Sequence, residues 1–238
     1  MIDGIVANIE RCLALRRYRD EGFAKQLNQV QQWQHQRLSE TYQELMASPS
    51  QAQLVHFFLD EVYRGVDLTH LARKLTKTAK LVDKLFTDLQ LIHIAIEFNA
   101  LNAELDESIT RTLFEDLQVE AVNADNYAKA FARENPQLRQ RQLELLYEFA
   151  REARDCVDDS FVYSAFKLAK YPAKLGGLGS LYRLIAQGFD AIRAVEAPCD
   201  LIEELLEHEQ QIYAALFQQN TNPFTTYSPS TKSAATGA

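Results

Sequence analysis

Glycine and proline are scarce in this chain, 8 and 6 among 238 residues. Turns and strand connections draw on both, so long uninterrupted elements are expected. No run of β-branched residues sits between turn pairs of the Asn-Gly or Asp-Gly kind, which leaves a sheet without support. Cysteine is rarer still: Cys12, Cys156 and Cys199 are odd in number, far apart and form no C-x-x-C. That pattern suits reduced thiols in a cytoplasm better than a disulfide framework. Positive charge is also short, with 25 Lys and Arg against 33 Asp and Glu and a net charge of −8. A nucleic-acid binder draws affinity from cancelling phosphates with Lys and Arg, so that class is excluded. Long apolar runs are missing too. The longest, L-I-H-I-A-I-E-F from Leu91, is too short and too polar to span a bilayer. The opening M-I-D-G-I-V-A-N-I-E has no basic leader before an apolar stretch, so a cytoplasmic protein is expected.

What is present points one way. Glu, Gln, Leu, Ala and Arg dominate, and these residues lose little rotamer freedom in a helix. With 47% hydrophobic residues the chain can bury a substantial core. The expected fold is an all-α, single-domain, multi-helix bundle over residues 1–220, followed by a disordered tail over 221–238, where small polar residues take over. Periodicity starts a helix at Ile2, with Gly22 interrupting it before a second apolar stripe through Trp33 to Leu45. Ser48-Pro49-Ser50 ends that stripe and starts a helix over 51–64. Further helices are read over 68–105, 108–117, 125–133, 136–156 and 161–170, the last ending at Tyr171-Pro172. A helix over 180–195 and one from Pro198 to Phe217 complete the bundle.

Residues 57–65 read F-F-L-D-E-V-Y-R-G. Helical spacing turns Phe57, Phe58, Leu59, Val62 and Tyr63 inward and leaves Asp60 and Arg64 in water, with Gly65 fitted to the left-handed position after a helix end. A partner surface could continue from this helix end through Tyr63 and Arg64. Supporting stretches are R-C-L-A-L-R-R from Arg11, V-Q-Q-W-Q-H-Q-R-L from Val30, A-I-E-F-N-A-L-N-A-E-L-D from Ala95 and Y-P-A-K-L-G-G-L-G from Tyr171. On these residues the chain resembles a bacterial family of uncharacterised proteins named for an F-F-L-E-E-L-Y-G signature. It departs from that signature at Asp60 and Val62 and by Arg64 before the glycine. The resemblance implies one continuous unit and brings no activity or catalytic residue with it.

No metal site, cofactor or catalytic set is expected. Di-metal sites in helical bundles use Glu-x-x-His pairs, and only Asp67 stands as an acid three residues before one of the five histidines, His70. There Asp is explained as a helix cap. His93 and Glu97 lie one helical turn apart, with Glu104 two turns further on. They form either a wet stripe on a surface helix or, on a central helix, a polar pocket. Cys199 falls in a first helical turn, but Glu196 and Asp200 oppose a thiolate there.

The stretch from Ser164 to Arg193 is the basic part of an acidic chain, with Lys167, Lys170, Lys174, Arg183 and Arg193 against Asp190. Gly176, Gly177 and Gly179 lead into a helix start at Ser180, where free amides and the dipole attract anions. Lys170, Lys174, Gly176, Gly177, Gly179, Ser180 and Arg183 are therefore the candidate binding residues for a small anionic ligand or an anionic membrane surface. The alternatives are a plain connector and, as the leading expectation for the protein, a non-enzymatic module that binds a protein partner or itself.

Overall fold

A computed structural model describes residues 2–62, 89–175, 179–220 and 222–227. Every regular element among the described residues is a helix: α1 (Ile2–Ala14), α2 (Glu21–Thr41), α3 (Gln43–Met46), α4 (Pro49–His56), α5 (Leu89–Arg111), α6 (Ala124–Phe131), α7 (Pro136–Asp158), α8 (Ser160–Leu168), α9 (Lys170–Leu175), α10 (Gly179–Arg193) and α11 (Pro198–Phe217). The fold is all-α.

The helix starts follow from local chemistry. The Asp20 carboxylate accepts the Phe23 amide at 3.0 Å and opens α2, so the break falls at Arg16–Tyr18 and Gly22 sits inside the new helix. Asn123 and Asn126 bond reciprocally to each other's backbone amides to start α6. Asn135 caps α7 ahead of Pro136, and Pro198 opens α11, because a first-turn proline has no amide to leave unpaired. The same reasoning corrects the expected stop at Tyr171-Pro172. Pro172 occupies the first turn of α9, and the helical course resumes after Leu168 instead of ending.

The end of α11 carries a left-handed residue. Gln219 has φ 61°, with its amide on the Leu216 carbonyl and the Asn220 amide on the Ala215 carbonyl. Glycine adopts this geometry without a Cβ clash. Gln219→Gly is expected to stabilise the fold by about 0.5–1 kcal/mol, read as a raised urea midpoint; an unchanged or lowered midpoint would show that Gln219 is not strained there.

Helix α5 is central, packed against α1, α2 and α7, while α11 lies along α7, and α10 along α7 and the turn after α4. The apolar interior divides into two clusters. Leu38, Tyr42, Leu101 and Leu105 belong to one; Val30, Ile109, Phe131 and Leu216 belong to the other. Along α2 the passage between them is made by Gln34 and Arg37, along α5 by Asp106, and along α11 by Glu209, all buried. A polar layer therefore crosses the bundle.

The F-F-L-D-E-V stretch, Phe57–Val62, is a π-helical turn continuing α4. Phe57, Leu59 and Val62 are buried, Phe58 is half-buried and Asp60 is exposed beside His35 at 2.9 Å. Phe57 rests on Gly188 of α10, where an added Cβ would come within 3.0 Å of its ring. Tyr63, Arg64 and Gly65 lie outside the described residues. The packed chain also runs past the expected tail boundary at residue 221. Tyr227 donates its amide to the Thr41 carbonyl at 2.7 Å and its hydroxyl to Glu204 at 2.7 Å. Phe224 meets the Trp33 ring at 5.5 Å, so aromatic contacts hold a segment whose composition reads as tail.

Candidate functional site

The polar layer is built by one buried stripe on α5, made of Asn99, Asn102, Asp106 and Thr110, facing polar side chains of α2, α7 and α11. Gln142 donates to Asn102 at 2.6 Å and accepts from Arg139 at 3.2 Å. Arg139 also reaches Glu134 at 3.4 Å, and Glu134 accepts the Ser108 hydroxyl at 2.7 Å. At the other end of the layer, Arg37 donates to Glu209 at 2.6 Å, and the Tyr42 hydroxyl donates to the same carboxylate at 2.8 Å. Burial pushes the Asp106 and Glu134 carboxyls up, against the pull of nearby Arg139. It pushes the Tyr127 and Tyr213 hydroxyls up as well. Hydrogen bonds of this layer tie α2 to α5 and α11, and α7 to α5 and α11.

Asp106 accepts from Gln31 at 2.8 Å. Because its folded value is raised, the folded chain holds more protons than the unfolded one between the usual aspartate value of about 3.9 and the raised value. Stability therefore falls as pH rises through that window and stays reduced above it. Asp106→Asn is expected to be more stable than wild type at pH 7 and to respond less to pH, measured by urea unfolding at several pH values. Lower stability with an unchanged pH response would contradict this.

His93 and Glu97 lie on α5 at a half-buried place between α1 and α7. His93 Nε2 stands 3.7 Å from Glu97, and Glu97 accepts from Arg141 of α7 at 3.1 and 3.2 Å. Arg141 donates to Glu148 as well, at 2.7 Å. Gly4 of α1 faces the imidazole, and an added Cβ would lie 2.9 Å from its Cε1. Glu104 is taken by Arg11 at 2.9 and 2.5 Å. The thiol of Cys199 is pushed up by burial and by Asp200, Asp155 and Asp158, and that of Cys12 by burial, so neither is an activated nucleophile. Among the described residues no three His, Cys, Asp or Glu side chains converge on a metal-sized site.

The basic stretch folds into α8, α9 and α10. Gly179 returns close to Lys174, its added Cβ lying 3.9 Å from the Lys174 Cα, while Lys170, Lys174, Ser180 and Arg183 are exposed. Lys170, Lys174 and Arg183 form no ion pair among the described residues. Gly176 and Gly177 lie outside the described residues. What the sequence reading missed stands beside these lysines. Phe161 is 75% exposed, Leu168 81%, Tyr171 78% and Leu175 86%. Within α8 the seven-residue step from Phe161 to Leu168 and within α9 the four-residue step from Tyr171 to Leu175 each keep two side chains on one side of their helix. The opposite side, Phe166, Ala169 and Ala173, is buried. The element thus has two apolar faces, one in the core and one in water. No described helix is long and apolar enough to cross a membrane.

Helices α5, α7 and α11 border a furrow of about 680 Å³. It is lined by apolar Ile94, Leu143, Tyr147 and Leu206 and by Glu144, Glu148, Glu152, Glu203, Glu207 and Arg151, with Arg141 reaching Glu144 and Glu148 from beside it. A second section of about 520 Å³ shares Gln140, Glu144 and Gln210 and continues to Pro136 and Phe217.

Residues 14–223 match the model of a family described as Domain of unknown function (DUF8198). No curated protein matches the chain. No solved structure matches it either.

Proposed function

The chain belongs to this family of domains of unknown function, and we propose from its surface chemistry that it is a non-enzymatic module that docks a protein partner through the α8–α9 face. The observation that carries this reading is the exposed row of Phe161, Leu168, Tyr171 and Leu175. A monomer gains nothing by holding four large apolar side chains in water, and contiguous apolar patches mark interaction sites. Two aromatics in the row suit an interface centre, and Lys167, Lys170 and Lys174 supply a charged rim. The interior suits a structural role, since buried Arg37 and Glu209, and buried Arg139 and Glu134, pair with each other.

The test places a photo-activated cross-linking amino acid at Leu168 in living cells, with the exposed Lys129 of α6 as control. The expected result is a discrete protein adduct at 168, absent at 129 and lost when Leu175→Asp is added. Equal labelling at both positions, or none at 168, overturns the reading. The same lysines, with Gly179, Ser180 and Arg183, also suit an anionic bilayer surface. Co-sedimentation with phosphatidylserine vesicles, abolished by Lys170→Glu with Lys174→Glu and unaccompanied by a protein adduct, would replace the protein partner with a membrane.

A further inference from the structure

Charge in this chain is unevenly divided. The net charge is −8, yet the residues from Ser164 to Arg193 hold five cations against Asp190 alone. The furrow beside α7 is lined by five glutamates; Arg141 pairs with Glu144 and Glu148 and Arg151 with Glu152, which leaves Glu203 and Glu207 outside any ion pair among the described residues. Each surface also carries apolar side chains: one exposes Phe161, Leu168, Tyr171 and Leu175, the other is lined by Ile94, Leu143, Tyr147 and Leu206. Two copies of so acidic a chain repel unless a basic patch of one meets an acidic patch of the other.

We infer that the docking partner is a second copy of this chain, with the α8–α9 face of one copy seated in the α5/α7/α11 furrow of the other. This rests on the reading of α8–α9 as a docking face. In the pair, Leu168 and Tyr171 meet the apolar side chains of the furrow, and Lys170 and Lys174 meet Glu203 and Glu207. Those two glutamates are exposed, and neither is in an ion pair among the described residues. Formed reciprocally about a two-fold axis, the two contacts close an isologous dimer; formed once per pair, the contact is heterologous and extends to a ring or longer assembly.

Sedimentation velocity of the full chain tests this with two variants. The first carries Lys170→Glu and Lys174→Glu; the second carries Glu203→Lys and Glu207→Lys. Wild type is expected at twice the chain mass or more, with association weakening as salt rises from about 0.05 to about 0.5 M. Each variant alone is expected as a monomer, since like charges then face each other at every contact. An equimolar mixture is expected to recover the assembly, because the reversed α8–α9 face of the first variant meets the reversed furrow of the second, and the two unreversed surfaces still match. A variant that misfolds cannot imitate that recovery. Monomeric wild type, variants that still associate, or a mixture that stays monomeric overturns the inference. If the adduct at position 168 then joins this chain to a different protein, the docking reading stands and only self-pairing falls. If position 168 gives no adduct, both fall.

Discussion

Glu209→Ala is expected to destabilise the protein by about 3–5 kcal/mol, because it leaves a buried guanidinium without its counter-charge. The Arg37 and Glu209 side chains are 6% and 5% exposed and 2.6 Å apart. The Tyr42 hydroxyl loses its 2.8 Å acceptor in the same substitution. Removing one member of such a pair is far more damaging than removing both. Arg37→Met combined with Glu209→Leu is therefore expected to recover most of the loss. Urea unfolding with an unchanged slope measures both effects. A single variant within about 1 kcal/mol of wild type, or a double variant worse than the single one, would contradict a sealed ion pair in the polar layer.

Phe57→Ala is expected to cost about 3–5 kcal/mol, and Phe58→Ala clearly less. Phe57 is buried between Phe149, whose ring centroid is 6.3 Å away, and Gly188. Neither neighbour closes a void easily: Phe149 is itself held in the core and Gly188 has no side chain to move. Phe58 is only half-buried. Chemical denaturation of the two variants separates the positions, and equal losses would show that the F-F pair packs differently. The strong expected asymmetry answers what the F-F-L-D-E-V run does: it anchors the turn after α4 onto α7 and α10.

Much of the fold was legible where backbone chemistry announces itself. Pro198 marks the start of α11, Asn135-Pro136 that of α7, and the scarcity of glycine leaves few other breaks. Boundaries went astray where a signal has two meanings. Pro172 ends a helix when it falls late in one and begins a helix when it falls in the first turn, and only tertiary packing chose between them.

The candidate site was harder to read for a similar reason. Polar residues suggest surface and apolar ones suggest core, and both rules fail here. Asn99, Asn102, Asp106 and Thr110 recur at helical spacing, but that row is buried because α5 is surrounded. Nothing local distinguishes it from the row of His93, Glu97 and Glu104, which is met by arginines of α7 and α1. Phe161, Leu168, Tyr171 and Leu175 look like core until Phe166, Ala169 and Ala173 are seen to fill that role. The lysines beside them were visible from charge alone, and the apolar row gives those lysines a context.

The central claim, that the α8–α9 face is kept apolar for docking, is tested most directly by native mass spectrometry. The protein is purified gently from its own cells, wild type beside a variant carrying Leu168→Asp and Leu175→Asp. These substitutions alter side chains that touch little of the core, so folding stability is expected to stay within about 0.5 kcal/mol of wild type. Wild type is expected in a complex heavier than one chain, and the variant at the mass of one chain. A bare wild-type monomer, or a complex that survives both substitutions, would contradict the account.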